Sequence, residues 1–143
     1  MTVTGVNDGY VGFEMSSSNP IQYYVTQYWQ GKIFVFDENW NYVSNRSSFP
    51  YVYYMILVGN YFYITGYNNI RKTDQQLNVS IRYDSTGSSP LYRGLYHNST
   101  NDLIYVAPFA LQVIHVFNLN LTLNDSISIT PYQPWSINEH NNE

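Results

Sequence analysis

The sequence predicts an all-β fold built from a unit that repeats about every 41 residues. Similar segments begin at Gly9, Pro50, Pro90 and Pro131, with spacings of 41, 40 and 41 residues. Each unit contains short β-branched and aromatic runs bounded by Asn, Asp, Gly, Pro or Ser, which is typical of strands and turns. No segment keeps the apolar period of an α-helix. Four short strands in about 40 residues, repeated along the chain, favour a β-propeller-like architecture.

We therefore expect one propeller-like repeat domain with three four-stranded blades. The predicted blades cover residues 9–49, 50–89 and 90–130, and each opens with its first strand. A lone first strand is expected over residues 131–137, followed by a tail over residues 138–143. A β-sandwich would also contain short strands, but it would not show three aligned copies of one motif.

The second strand of each predicted blade carries the clearest motif, a tyrosine followed by a β-branched residue. We expect these tyrosines to fill the core between blades. The three copies are Tyr24-Val25-Thr26, Tyr63-Ile64-Thr65 and Tyr105-Val106-Ala107.

A tight turn is predicted after each third strand, which ends on Asp37, Asp74 or Asn118. Asp and Asn suit this position because their side chains bond nearby backbone amides. An apolar residue follows three positions later, and we expect it to fold back into the core. These apolar residues are Trp40, Leu77 and Leu121.

These copies resemble the NHL repeats and the related repeats named for the tetrapeptide Tyr-Val-Thr-Asn. The resemblance rests on the tyrosine motifs, on the Ile-x-Val-Phe-Asp/Asn pattern at residues 33–37 and 114–118, and on the prolines that open the blades. It covers residues 9–137, although the Asn-His-Leu triplet does not occur. The resemblance implies a propeller, whose relatives include protein-interaction, RNA-binding, sugar-binding and lyase members, so it indicates fold rather than activity.

Three blades are fewer than the usual four to eight of a closed propeller. We expect either a homodimer that completes a six-bladed ring or the remaining blades of a longer chain. Residues 1–6 alternate polar and apolar side chains, and we expect them to form the outer strand of a blade whose inner strand is residues 131–137. The alternative is that both termini are frayed.

Composition excludes several classes of function. Net charge is −4 with no basic run, which argues against nucleic-acid binding. The chain has no cysteine, which excludes disulfides, thiol catalysis and Cys-ligated metals. No apolar run reaches the roughly 18 residues of a membrane span. Residues 1–8 show no signal-peptide pattern.

Five Asn-x-Ser/Thr sequons are candidate glycosylation sites and slightly favour an extracellular protein. Chance alone accounts for most of them, because the chain is rich in Asn, Ser and Thr. The sequons begin at Asn45, Asn78, Asn98, Asn120 and Asn124.

No catalytic or metal-binding motif stands out, and no cofactor is expected. The histidines are His97, His115 and His140, and His115 is expected to be a packed strand residue. Asp37 and Asp74 occupy equivalent turn positions on different blades, so they would diverge around a ring. The carboxylate to watch is Glu14, the only acid on a predicted innermost strand.

Aromatic residues between the second and third strands are the strongest candidates for binding. A rim of rings beside amides suits a sugar, and Tyr and Trp equally suit a protein partner. We therefore predict a non-enzymatic recognition or scaffold module that binds a protein or a glycan. The alternatives are a lectin-like propeller, a metal-dependent propeller lyase or hydrolase, and an excised or engineered partial propeller. The rim residues are Tyr28, Trp29, Tyr67, Asn68 and Phe109, with Gln30 and Asn69 beside them.

Overall fold

Twelve strands form three four-stranded sheets in the computed structural model, which describes residues 9–17, 19–86 and 90–137. These residues contain no helix, and hence none long and apolar enough to cross a membrane. The all-β prediction is therefore confirmed. The first sheet contains β1 (Tyr10–Met15), β2 (Gln22–Gln27), β3 (Lys32–Asp37) and β4 (Tyr42–Arg46). The second contains β5 (Met55–Val58), β6 (Tyr61–Thr65), β7 (Asn69–Thr73) and β8 (Val79–Asp84). The third contains β9 (Tyr92–Asn98), β10 (Leu103–Pro108), β11 (Val113–Asn118) and β12 (Leu123–Ser128).

Each sheet is an antiparallel meander whose strands pair in chain order. The first strands β1, β5 and β9 contact one another in sequence, so they lie at the centre of the arrangement. The fourth strands β4, β8 and β12 are the outer strands and are largely exposed. Because strand direction alternates, the loops after the second strands lie at the same end of the fold as the segments that join one sheet to the next. We call this end the rim end.

Two apolar cores fill the space between neighbouring sheets. In both, a second-strand tyrosine donates its hydroxyl to a backbone carbonyl of the next sheet. Tyr24 donates to Gln75 O at 2.9 Å, and Tyr63 donates to Leu119 O at 2.7 Å. The core between the first and second sheets includes Tyr24, Ile33, Val35, Met55, Phe62, Ile64 and Leu77. The core between the second and third sheets includes Tyr63, Ile70, Leu95, Ile104, Val106, Phe117 and Leu121.

The turn after each third strand forms as the Asp/Asn pattern predicts. One side-chain oxygen accepts two backbone N–H groups, at 2.9 and 2.8 Å for Asp37 and for Asp74, and at 2.9 and 3.0 Å for Asn118. The Asn41 side chain also donates to Asp37 Oδ2 at 2.9 Å, and this bond, followed by the backbone bond from Asn41, holds the pKa of Asp37 below its usual value. The apolar residue that follows lies in the left-handed region, with φ of 62° at Trp40, 64° at Leu77 and 56° at Leu121. The three turns are therefore equivalent in backbone as well as in sequence.

The expected burial of the turn residue is correct for two sheets and wrong for the first. Leu77 and Leu121 are 6% and 4% exposed, whereas Trp40 is 51% exposed. Each leucine packs on the preceding sheet. Trp40 points away from the second sheet, and in the described residues no sheet covers that side. It stacks instead on Tyr23, with ring centroids 4.5 Å apart.

The first strands of the second and third sheets begin later than the sequence indicates. Residues 50–54 are turn and irregular backbone, so β5 starts at Met55 and β9 starts at Tyr92. Residues 131–137 form no strand, which corrects the expected lone first strand. A first strand pairs with the second strand of its own sheet, and in the described part of the chain no strand follows residue 137. The predicted outer strand at residues 1–6 and the tail at 138–143 lie outside the described residues.

Candidate functional site

The rim end is organised by backbone contacts between loops. Phe49 N donates to Gly31 O at 3.3 Å, which fixes the start of the joining segment against the β2–β3 loop. Gly31 has a φ of 59°, and an added Cβ would lie 2.7 Å from Phe49 O and from Pro50 Cα. Only glycine therefore fits this contact without displacing the backbone. In the second sheet, the loop after the second strand also contacts the next joining segment, because Leu91 N donates to Tyr67 O at 2.9 Å.

Five aromatic rings meet on the first half of the rim end. Tyr28 stacks on Tyr53 with centroids 4.4 Å apart and meets Trp29 edge-on at 4.7 Å. Tyr51 lies 5.5 Å from Tyr28 and 5.4 Å from Tyr67. The joining segment thus inserts Tyr51 and Tyr53 between the rings of the two loops.

Arg93 connects this group to the third sheet. Its guanidinium Cζ lies 4.2 Å from the Phe109 ring centroid, 4.6 Å from Trp135 and 5.6 Å from Tyr53. Phe109 and Trp135 also meet each other at 4.7 Å. Cation–π contacts of this kind hold a guanidinium against ring faces. We call the resulting continuous surface the aromatic rim. It consists of Tyr28, Trp29, Tyr51, Tyr53, Tyr67, Arg93, Phe109 and Trp135.

The aromatic rim combines a fixed base with exposed rings. Tyr53 is buried and donates its hydroxyl to the Tyr28 hydroxyl at 2.8 Å. Burial, and then this hydrogen bond, raise the pKa of Tyr53, while the Arg93 charge opposes the rise. Trp29 and Trp135 are exposed. The described ion pairs join Arg82 to Asp84 and His97 to Asp102, so neither neutralises Arg93.

The structure brings together four of the five residues that the sequence singles out. Tyr28, Trp29, Tyr67 and Phe109 all belong to the aromatic rim. Asn68 is half-buried, and its Oδ1 accepts from Asn69 Nδ2 at 3.2 Å.

The predicted rim therefore offers fewer free amide groups to a ligand than the sequence indicates. Asn69 is buried, and its side chain bonds its neighbour. Sequence reasoning missed Tyr51, Tyr53, Arg93 and Trp135. The sequence signal for Tyr51 and Tyr53 is the Pro-Tyr-Val-Tyr-Tyr run, which is interpreted from the sequence as part of a first strand.

Glu14 has a structural position at the centre of the fold. Its Oε2 accepts from Leu57 N at 3.1 Å, and its Oε1 accepts from Met15 N at 2.9 Å. The carboxylate thus bridges β1 of the first sheet to β5 of the second.

The described histidines are separate from one another. His115 is buried, its Nδ1 lies 3.3 Å from the Tyr92 hydroxyl, and burial lowers its pKa. His97 Nε2 lies 3.3 Å from Asp102 Oδ1. His140 lies outside the described residues. Among the residues that are described, no group of three or more His, Cys, Asp or Glu could hold a metal ion.

The candidate glycosylation sites lie apart from the aromatic rim. Asn45, Asn78, Asn120 and Asn124 are exposed, whereas Asn98 is half-buried. The Asn78 side chain also donates to Asp74 Oδ2 at 2.8 Å, so this sequon asparagine takes part in the turn. Use of the sequons stays a prediction.

Two open cavities lie at the end opposite the rim, near the turn that contains Gln75 and Gln76. One, of about 210 Å³, is lined by Gln22, Tyr24 and Arg46 together with this turn. The other, of about 270 Å³, is lined by Asn60 and Tyr61 together with the same turn.

Comparison with known proteins supports the fold. No protein-family model matches the chain, and no curated protein matches its sequence. Solved β-propeller structures do match it. Hydrazine synthase of Kuenenia stuttgartiensis gives a TM-score of 0.75 at 13% identity, covering 94% of this chain and 40% of that chain. The Swd1 β-propeller domain of Myceliophteria thermophila gives 0.74 at 8% identity, covering 90% and 46%. Virginiamycin B lyase of Staphylococcus aureus gives 0.69 at 13% identity, covering 93% and 45%.

The fold is that of a partial β-propeller. The predicted propeller-like fold class is therefore confirmed, and the three sheets are its blades. The chain spans less than half the length of these three solved chains. At such identities the similarity establishes the fold and carries no activity.

Proposed function

We propose that this protein is a non-enzymatic recognition module that binds a protein partner through the aromatic rim. The observation that carries the proposal is a surface of seven aromatic rings, in which Arg93 joins a group of five rings to a group of two. Tyr, Trp and Arg are the residues that dominate binding energy at protein interfaces. Rings that are already stacked lose little conformational freedom when a partner binds.

The shape of the rim supports a protein partner over a small molecule. Small-molecule sites are concave and hold about 300 Å³ or more. The cavity beside the rim, lined by Phe49, Pro50 and Thr65, is too small to admit a water molecule. An extended segment of a partner can cover such a surface with several side chains at once. Because Arg93 has no described acidic partner, we expect that segment to carry a carboxylate among its apolar side chains.

A lectin-like glycan site is the second candidate. It is favoured by the exposed rings of Trp29 and Trp135, whose faces can stack on a pyranose. It is disfavoured by Asn69, whose amide is buried against Asn68 and cannot meet sugar hydroxyls. A lyase activity is not proposed, because similarity to a lyase fold at 13% identity supports no chemistry.

We also propose that the repeat is of the NHL-like kind. The Tyr-Val-Thr-like second strands support this assignment, since Tyr24 and Tyr63 make the same interblade hydrogen bond. A family alignment built from newly sequenced relatives would test it.

The test is selection from a random peptide display library, followed by titration of the chosen peptides with tryptophan fluorescence as readout. We expect binders to weaken at least tenfold with Trp29→Ala or Trp135→Ala, as for interface anchors. The matched control is Tyr61→Ala, because Tyr61 is an exposed aromatic residue at the end opposite the aromatic rim. Binding that is indifferent to both rim substitutions contradicts the proposal. A glycan array screened with the same variants decides whether the second candidate replaces it.

A further inference from the structure

One side of the first sheet is an aromatic face that no other sheet of the described residues covers. Its residues, which we call the leading face, point away from the second sheet. The rings of Phe13, Tyr23 and Trp40 stack on one another, with centroids between 4.5 and 5.9 Å apart. Phe36 and Tyr42 extend the same group toward the outer strand. An exposed apolar surface of this kind marks an interaction site.

The equivalent positions of the other two sheets are covered. Phe13 pairs with Val25 just as Met55 pairs with Ile64 and Leu95 pairs with Val106. Phe13 is 55% exposed, whereas Met55 and Leu95 are 2% and 5% exposed. Met55 is covered by the first sheet and Leu95 by the second. In each case the covering surface is the side of the preceding sheet that faces along the chain toward the next sheet. The chain therefore shows twice which surface fits a leading face.

The matching surface is present on the third sheet. We call it the trailing face, and it includes Tyr105, Ile114 and Ile127. Tyr105 is equivalent to Tyr24 and Tyr63, and Ile127 is equivalent to Tyr83, which packs on Phe117 of the next sheet at 4.9 Å. Ile127 is exposed.

We infer that a second copy of this chain covers the leading face with its trailing face, and that two such contacts close a six-bladed ring. The Tyr105 hydroxyl then donates to the backbone carbonyl of Glu38 in the other copy. That carbonyl is the counterpart of Gln75 O and Leu119 O, the acceptors in the two internal contacts. A two-fold axis along the centre relates the two contacts, so the assembly closes and leaves no unpaired face.

The size of the related folds agrees with two copies. This chain matches 46% of the Swd1 domain and 45% of the virginiamycin B lyase chain. Two copies therefore account for about nine-tenths of either length. Six blades also fall within the four to eight of closed propellers.

Solution mass measured by light scattering over a dilution series tests the inference. We expect the wild-type chain to have twice its own mass, and Trp40→Glu or Ile127→Glu alone to be monomeric. Both side chains are exposed in one chain, so neither change should prevent folding. Val79→Glu, at an exposed residue of the middle sheet, is the control and should stay dimeric.

Mixing the two monomeric variants distinguishes head-to-tail contact from other dimers. The Trp40→Glu chain keeps a normal trailing face and the Ile127→Glu chain keeps a normal leading face, so the mixture should form a heterodimer through one intact contact. A pairing of like faces predicts no such recovery and would overturn the inference. A wild-type chain that is monomeric at every concentration would also overturn it, and the leading face would then await further blades of a longer chain.

The hydroxyl contact has its own matched pair of variants. Tyr105→Phe removes two intermolecular hydrogen bonds per dimer, each worth about fivefold in affinity, so the dimer Kd should rise about twenty-five-fold. Tyr63→Phe removes the same bond inside the chain and should leave the Kd unchanged. Equal Kd values for Tyr105→Phe and the wild type would place the tyrosine outside the interface.

Discussion

Truncation of Leu121 tests the packing of each turn onto the preceding sheet. Leu121 is 4% exposed in the core between the second and third sheets. Leu121→Ala removes three carbon atoms, at about 0.8 kcal/mol each, and leaves an enclosed cavity that adds about 1 kcal/mol. The expected loss of unfolding free energy is therefore about 3.5 kcal/mol. For a chain of this size that lowers Tm by about 10 °C.

Leu123 provides a matched control two residues away. It is 39% exposed on β12, so Leu123→Ala loses only part of the transfer free energy and leaves no closed cavity. We expect a loss of about 1.5 kcal/mol. Urea unfolding followed by circular dichroism, checked by thermal melts, measures both variants. Equal losses at the two positions would refute the claim that the turn residue is an interblade core residue.

Two further expectations concern the backbone and pH. In urea unfolding, Gly31→Ala should lower the unfolding free energy by more than about 2 kcal/mol, because the new Cβ lies 2.7 Å from Phe49 O and Pro50 Cα. Gly59→Ala is the control, since Gly59 has the same φ of 59° but no atom within 4 Å of the new Cβ. It should lower the unfolding free energy by only about 1 kcal/mol, through left-handed backbone strain. Burial lowers the pKa of His115 below its ordinary 6.5, so the unfolded chain binds a proton more readily. The urea midpoint of unfolding should therefore fall as pH drops below about 6.5. His115→Gln should make the midpoint depend less on pH. An unchanged pH dependence would assign the titration to other groups.

The repeat could be predicted because its signals are local. The Asp/Asn turn depends on side-chain bonds to amides two and four residues ahead, so Asp37, Asp74 and Asn118 specify it by themselves. Whether Trp40 is buried or exposed could not be predicted in the same way. It depends on which sheet lies beside the first one, and that is a property of the assembly rather than of the turn.

Half of the aromatic rim also depends on long-range geometry. Tyr51 and Tyr53 lie in a segment whose residue types predict a strand. The start of that segment instead packs against the β2–β3 loop, where Phe49 N donates to Gly31 O. Arg93 and Trp135 are far apart in sequence and meet because residues 136–137 run beside Gly94 of β9, where an added Cβ would lie within 3.0 Å of both. No local pattern encodes that approach.

The most direct test of the aromatic rim as a recognition surface is hydrogen exchange with and without a bound peptide from the display selection. We expect slower exchange at residues 28–31, 50–54 and 132–135, which carry the rim, and unchanged exchange at the turns of residues 37–41 and 74–78. Protection confined to those turns or to the cavities beside Gln75 would contradict the rim and place recognition at the opposite end of the propeller.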